Sequence, residues 1–107
     1  MIGITICGHD FELSYDDIVE DNHELGMSSL RRGTVLLRSD LPPDIEHSTL
    51  LHEIVHQICD LHSITLPNEE TTIDVIAMGI LNFIRHNDTL INSLRMRVSL
   101  KTFIGID

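Results

Sequence analysis

Tryptophan is absent from the 107 residues, tyrosine occurs once and phenylalanine three times. At 42% apolar content a core can still form, but it has to be built from Ile, Leu and Val. Basic residues are scarce: 7 Lys and Arg stand against 17 Asp and Glu, a formal net charge of −10 at pH 7. A duplex binder needs a basic face to displace counterions, so nucleic acid is excluded as a partner. Two cysteines, Cys7 and Cys59, are too few for a secreted disulfide framework and too scattered for a cysteine zinc site. Both read as reduced thiols in a cytoplasmic setting. No apolar run approaches the length of a membrane span, the longest being Val75–Leu81, so no membrane partner is expected. Met1–Cys7 has neither a basic start nor a long apolar stretch, and no signal peptide is read there. Linkers rich in Pro, Gly or Ser, internal repeats and low-complexity segments are also missing. The expectation is one soluble domain over residues 1–107.

Histidine is abundant, with seven residues in the chain. Charge is distributed in blocks. Residues 1–30 hold seven acids and no Lys or Arg, residues 31–38 three Arg, and residues 40–74 eight acids and no base. From Arg85 to Lys101 four bases face Asp88 alone. A basic tail folded back on the acidic body is the plain reading, and a tail that binds a partner is the alternative.

Hydrophobic periodicity divides the chain into a sheet region (1–43), a helical region (44–94) and the basic tail (95–107). Ile2, Ile4 and Ile6 alternate with small or polar residues, as in a half-buried strand. Gly8-His9-Asp10 has turn chemistry, and Phe11-Glu12-Leu13 can return as a partner strand. Tyr15–Glu24 reads as loop or a single helical turn. Arg31-Arg32-Gly33 leads into a β-rich segment, Thr34–Arg38, expected at the sheet edge. Pro42 and Pro43 break that strand, and Asp44 is a plausible N-cap. Leu51, Ile54, Val55, Ile58 and Leu61 then recur at helical spacing. After Ser63–Pro67, Asn68 can cap a second helix reaching about His86, with Ile73, Ile76, Ala77, Ile80, Leu81 and Ile84 expected inward. Asp88–Leu94 suits a short third helix, and Arg95–Phe103 fits helix and strand equally.

The chemistry lies on the first long helix, in His52-Glu53-Ile54-Val55-His56. Four residues turn a helix through about 400°, so the two imidazoles point the same way, roughly 6 Å apart along the axis. Side chains so placed can share a zinc ion, and Glu53, about 100° round, can take a proton from a water on the metal. Chance gives roughly 0.03 such matches in a chain of this composition. All three groups interrupt an apolar stretch, where unpaired polar side chains are costly.

Two histidines leave at least one protein ligand to find. His62 follows His56 at the H-E-x-x-H-x-x-G-x-x-H interval, but Cys59 stands where that pattern has its turning Gly. On a continuous helix His62 ends about 15 Å from His52 along the axis. Asp74 is the sole charge between Glu70 and Arg85, inside an apolar run where a lone acid needs a partner. Glu70 lies one turn earlier on the same face and is the reserve. The order of preference is Asp74, then Glu70, then His62.

The run Leu50-Leu51-His52-Glu53-Ile54-Val55-His56, with Asp74-Val75-Ile76-Ala77-Met78-Gly79-Ile80-Leu81 and Phe83-Ile84-Arg85-His86-Asn87 downstream, resembles small phage and prophage zinc-metallopeptidase-like proteins. These are related to the ImmA/IrrE and gluzincin-type peptidases. Gly26, Arg32-Gly33-Thr34-Val35 and Asp40-Leu41-Pro42-Pro43-Asp44 are similar to that family's turn, strand and lead-in. The resemblance covers about residues 1–90. It implies an α+β, minimal zincin-like domain, with a small antiparallel sheet packed on the H-E-x-x-H helix and a second helix. It also implies a third-ligand carboxylate on that second helix, in an E-x-x-A context, which falls here on Asp74 within Asp74-Val75-Ile76-Ala77. Asp for Glu is a departure, one methylene shorter, which asks the helices to approach more closely or Glu70 to substitute.

The expected function is therefore a zinc-dependent metallopeptidase, a hydrolase with Zn²⁺ on His52, His56 and a second-helix carboxylate. Glu53 is the general base for attack of metal-activated water on a peptide bond. An extended peptide substrate could add to Thr34–Arg38 as a strand. Tyr15, His23 and His86 are unranked candidates for stabilising the oxyanion. The alternative is a phage accessory or virion protein whose metal site is structural or vestigial and which acts by binding a protein partner. A metal-free toxin, antitoxin or repressor-type partner would leave His52, Glu53 and His56 without a purpose. The expected location is the cytoplasm of a bacterium or phage-infected cell, or the virion.

Overall fold

A computed structural model describes residues 2–16 and 24–105. Strands β1 (Ile2–Ile6), β2 (His9–Tyr15), β3 (Gly26–Ser29) and β4 (Thr34–Leu37) form one sheet in the order β1-β2-β4-β3. Helices α1 (Pro43–Leu61), α2 (Glu69–His86), α3 (Asp88–Met96) and α4 (Leu100–Ile104) follow. The fold is α+β, as expected.

β1 and β2 pair antiparallel across Cys7-Gly8, both at positive φ (49° and 80°), the backbone of a tight I′-type hairpin turn. β3 and β4 form a second antiparallel hairpin, closed by Gly33 at φ 63°. The hairpins join through β2 and β4, which run parallel with Leu13 opposite Val35. The sheet is therefore mixed rather than wholly antiparallel. Thr34–Leu37 is interior, not an edge: Val35 and Leu37 are fully buried, which a strand paired on both sides achieves and an edge strand rarely does. The edge beside the helices is β3, whose Gly-Met-Ser-Ser sequence carries no strand signal.

Ile6, Phe11, Leu13, Val35 and Leu37 project from one face of the sheet onto Leu50, Ile54, Ile58 and Leu61 of α1. A smaller cluster, Val55, Cys59 and Ile73 with Leu66, ties α1 to α2. Pro42 and Pro43 occupy the N-cap and first position of α1, and no side chain caps it. Asp44 lies inside the first turn with Glu46, where acids favour the helix dipole, and is not the cap. Asn68 sits at the α2 cap position in left-handed conformation (φ 47°) and makes no capping bond. Thr72 donates its hydroxyl to the Pro67 carbonyl instead.

Only Ile73 and Ala77 of α2 are buried. Ile76, Ile80 and Ile84, expected inward, are 38–40% exposed, because α2 has α1 on one side and, among the described residues, no second layer. Of the ambiguous segment, residues 95–96 end α3 and 100–103 lie in α4, which packs on α3, with a non-helical turn at 97–99 and no strand between them. Of the bases from residue 85 onward, Arg85 reaches back to α1, 3.3 Å from Asp44 and 2.8 Å from the His47 ring. No described helix is long and apolar enough to cross a membrane.

Candidate metal centre

One face of α1 presents His52, His56 and, turned toward the sheet, Glu53 and Gln57 to a cleft of about 700 Å³. β3 forms one wall and α2 the other, the latter with Glu70, Asp74 and Met78. Gly26 makes the β3 wall fit. A Cβ there would lie 2.8 Å from Thr49 Cγ2 and 3.0 Å from the Leu36 carbonyl oxygen, so no larger residue lets β3 come this close to α1.

The imidazoles of His52 and His56 lie edge to face with centroids 4.8 Å apart. The Glu70 carboxylate spans both, with Oε2 3.0 Å from His52 Nε2 and Oε1 2.8 Å from His56 Nε2. Asp74 Oδ1 is 2.6 Å from the other ring nitrogen of His52, Nδ1. Ligand atoms of His52, His56 and Glu70 lie within 4.8 Å of one another, the one such trio among the described residues. Both second-helix carboxylates singled out from the sequence are thus at the histidines, in distinct places: Glu70 bridges the pair and Asp74 holds the back of one ring. Asp74 is not enclosed by its apolar neighbours. Val75 and Met78 are themselves exposed, and the Asp74 side chain is 68% exposed, so the burial argument that ranked it first does not apply.

The donor set suits zinc: two imidazole nitrogens and a carboxylate oxygen, leaving a position open. A neutral imidazole carries one N–H. His52 faces a carboxylate oxygen at each nitrogen, so one lone pair points at an oxygen unless a cation or a second proton intervenes.

Glu53 is buried, and its Oε1 accepts a 2.7 Å hydrogen bond from the Ser28 hydroxyl. Ser28 in turn accepts a 2.7 Å bond from Gln57 Nε2, while Gln57 Oε1 is buried with no partner among the described residues. Sequence reasoning named neither. Gln57 lies one turn past Glu53 on the same face, a signal that could have been read. Ser28 comes to the helix only through the placement of β3.

The remaining candidates lie elsewhere. His62 caps the C-terminus of α1, its N–H donating to the Ile58 and Cys59 carbonyls, and does not line the cleft. Tyr15 donates its hydroxyl to Glu46 at 2.6 Å, and this bond, with a little burial and the Glu46 charge, raises its pKa above the usual 10.0. His86 contacts the Asn82 carbonyl at 2.9 Å on α2. Neither Tyr15 nor His86 lines the cleft, and His23 falls outside the described residues. No family model, curated protein or solved structure matches the chain.

Proposed function

We propose that this chain is a zinc-dependent metallopeptidase in which His52, His56 and Glu70 hold the metal and Glu53 is the general base. The observation that carries this reading is the Glu70 carboxylate lying across the Nε2 atoms of both motif histidines. Asp74 has the second role that metal-bound histidines require, fixing the tautomer and aim of His52 through Nδ1. Zinc, when bound, polarises a carbonyl and makes water acidic enough to be a nucleophile near neutral pH. Glu53 accepts the proton of the attacking water, with Ser28 occupying Oε1 and leaving Oε2 for that work. The substrate is an extended peptide lying along β3, the edge strand that forms the cleft wall.

A structural metal is the second reading, favoured by the slender attachment of α2: ligands on α1 and α2 would pin two helices that share few buried side chains. Metal analysis of protein purified without chelator or histidine tag should give about one zinc per chain. Glu53→Gln should keep zinc and fold yet abolish hydrolysis of a denatured protein substrate. Absence of zinc uptake overturns both readings. If His52→Ala loses the biological effect and Glu53→Gln keeps it, the metal is structural.

A further inference from the structure

Between Asp74 and Arg85, α2 holds one polar side chain, Asn82. A helix apolar around its whole circumference is ordinarily enclosed on all sides. This one is enclosed on one side only, where Ile73 and Ala77 meet α1. Val75 is 69% exposed, Phe83 45%, and Ile76, Ile80 and Ile84 about 40%. These five leave on the order of 400 Å² of apolar surface on a single helix, the size of the largest patch on an ordinary monomer. Leu94, Met96, Leu100 and Ile104 on α3 and α4 are also exposed. Together the two groups reach on the order of 800 Å², about what each partner buries in a standard interface. The radius of gyration, 15.8 Å, exceeds the roughly 13 Å of a compact chain this long, and the extents are 55 × 31 × 28 Å. The helical arm stands away from the body.

We propose that this face of α2 is the two-fold interface of a homodimer, with α2 packed antiparallel against α2 of a second copy around Gly79. Three features select a second copy. The helix has Glu69 in its first turn and His86 in its last, both outside the cleft, so an antiparallel pair sets Glu69 of each copy beside His86 of the other and opposes the two helix dipoles. Arg95, Arg97 and Lys101 of each copy follow the C-terminal end of α2, the end that this pairing brings beside the acidic first turn of the other copy's α2. Third, Gly79 sits near the middle of α2, where glycine costs stability, and a Cβ there would meet nothing within 4 Å. Nothing among the described residues requires that glycine; a helix crossing closely at that point would. Asp74 and Ile76 are about 200° apart around the helix, so pairing through Ile76, Ile80 and Phe83 leaves the cleft open.

Sedimentation equilibrium of the full chain, at concentrations up to about 100 µM, reads the assembly directly. Wild type should be dimeric, and Ile80→Glu should raise the dissociation constant at least about 100-fold while keeping the wild-type circular dichroism spectrum. Gly79→Cys in a Cys7→Ser background should join covalently to its own copy with a short bis-maleimide, because a residue near the two-fold axis meets itself. A wild-type monomer over the whole range overturns the proposal. So does a dimer that Ile80→Glu leaves intact, or one in which Cys introduced at 79 forms no cross-link.

Discussion

Replacing Glu70 by Gln and Asp74 by Asn separates holding a metal from orienting its ligand. In the metal-free protein both changes should be mild. The two side chains are 73% and 68% exposed, and pairs so open to water contribute under about 1 kcal/mol. The difference should appear with zinc. Free zinc at a hundredfold over its dissociation constant stabilises the folded state by about 2.7 kcal/mol, roughly 10–20 °C in melting temperature for a chain of this size. Asp74→Asn keeps every ligand and loosens only the His52 ring, so zinc affinity should fall about 10–100-fold, or about 1.4–2.7 kcal/mol. Glu70→Gln exchanges an anionic ligand for a neutral amide and should cost more than about 100-fold, erasing most of the thermal shift. Competition against a chromophoric zinc chelator gives both affinities, and calorimetry gives the melting temperatures. A larger loss in Asp74→Asn than in Glu70→Gln would make Asp74 the ligand. Equal and negligible losses would remove both carboxylates from any metal site.

Ser28→Ala should destabilise by roughly 1–3 kcal/mol in urea unfolding, since it strips a partner from the buried Glu53 and Gln57 together; a change below about 0.5 kcal/mol refutes the coupling. Ile73→Ala, at a fully buried position, should cost about 2–5 kcal/mol. It should also weaken zinc binding, because Ile73 holds the helix bearing Glu70 against α1, whereas Val75→Ala should stay within about 0.5 kcal/mol. The lone tyrosine offers a clean optical titration. Tyr15 should ionise above 10, and Glu46→Gln should bring the midpoint back toward 10. Because the folded value is the higher one, its contribution to stability is present below pH 10 and disappears as pH rises through the folded pKa.

Both long helices were legible because their apolar spacing repeats over many turns, and the histidine pair announces itself by its four-residue spacing on one of them. The sheet was half legible. Ile2, Ile4 and Ile6 alternate clearly, but Gly-Met-Ser-Ser at β3 has no period, and nothing local reveals that β2 and β4 run parallel. That gap placed the expected sheet edge one strand too far inward. Sequence reasoning placed Glu70 and Asp74 on one helical face and ranked Asp74 first, but which carboxylate spans both imidazoles depends on the distance between helix axes, and Glu70 is the one that does. Counting apolar neighbours misled there. Val75, Ile76 and Met78 suggested an interior, but all three are exposed, and among the described residues no layer lies beyond α2.

The seam between β2 and β4 has a consequence for how the molecule is made. Each hairpin closes over a short stretch of chain, as does each helix, and such contacts form early. The parallel seam pairs Leu13 with Val35, twenty-two positions apart, and it alone makes the two hairpins one sheet. Ser28 rides on the later hairpin, Glu53 on α1 and Glu70 on α2. No single early unit holds more than part of the cleft, and a chain stalled before the seam forms would have its paired helices without the β3 wall that carries Ser28. Amides along β2 and β4 should then exchange with solvent only through global unfolding, while those of α3 and α4 exchange through local opening.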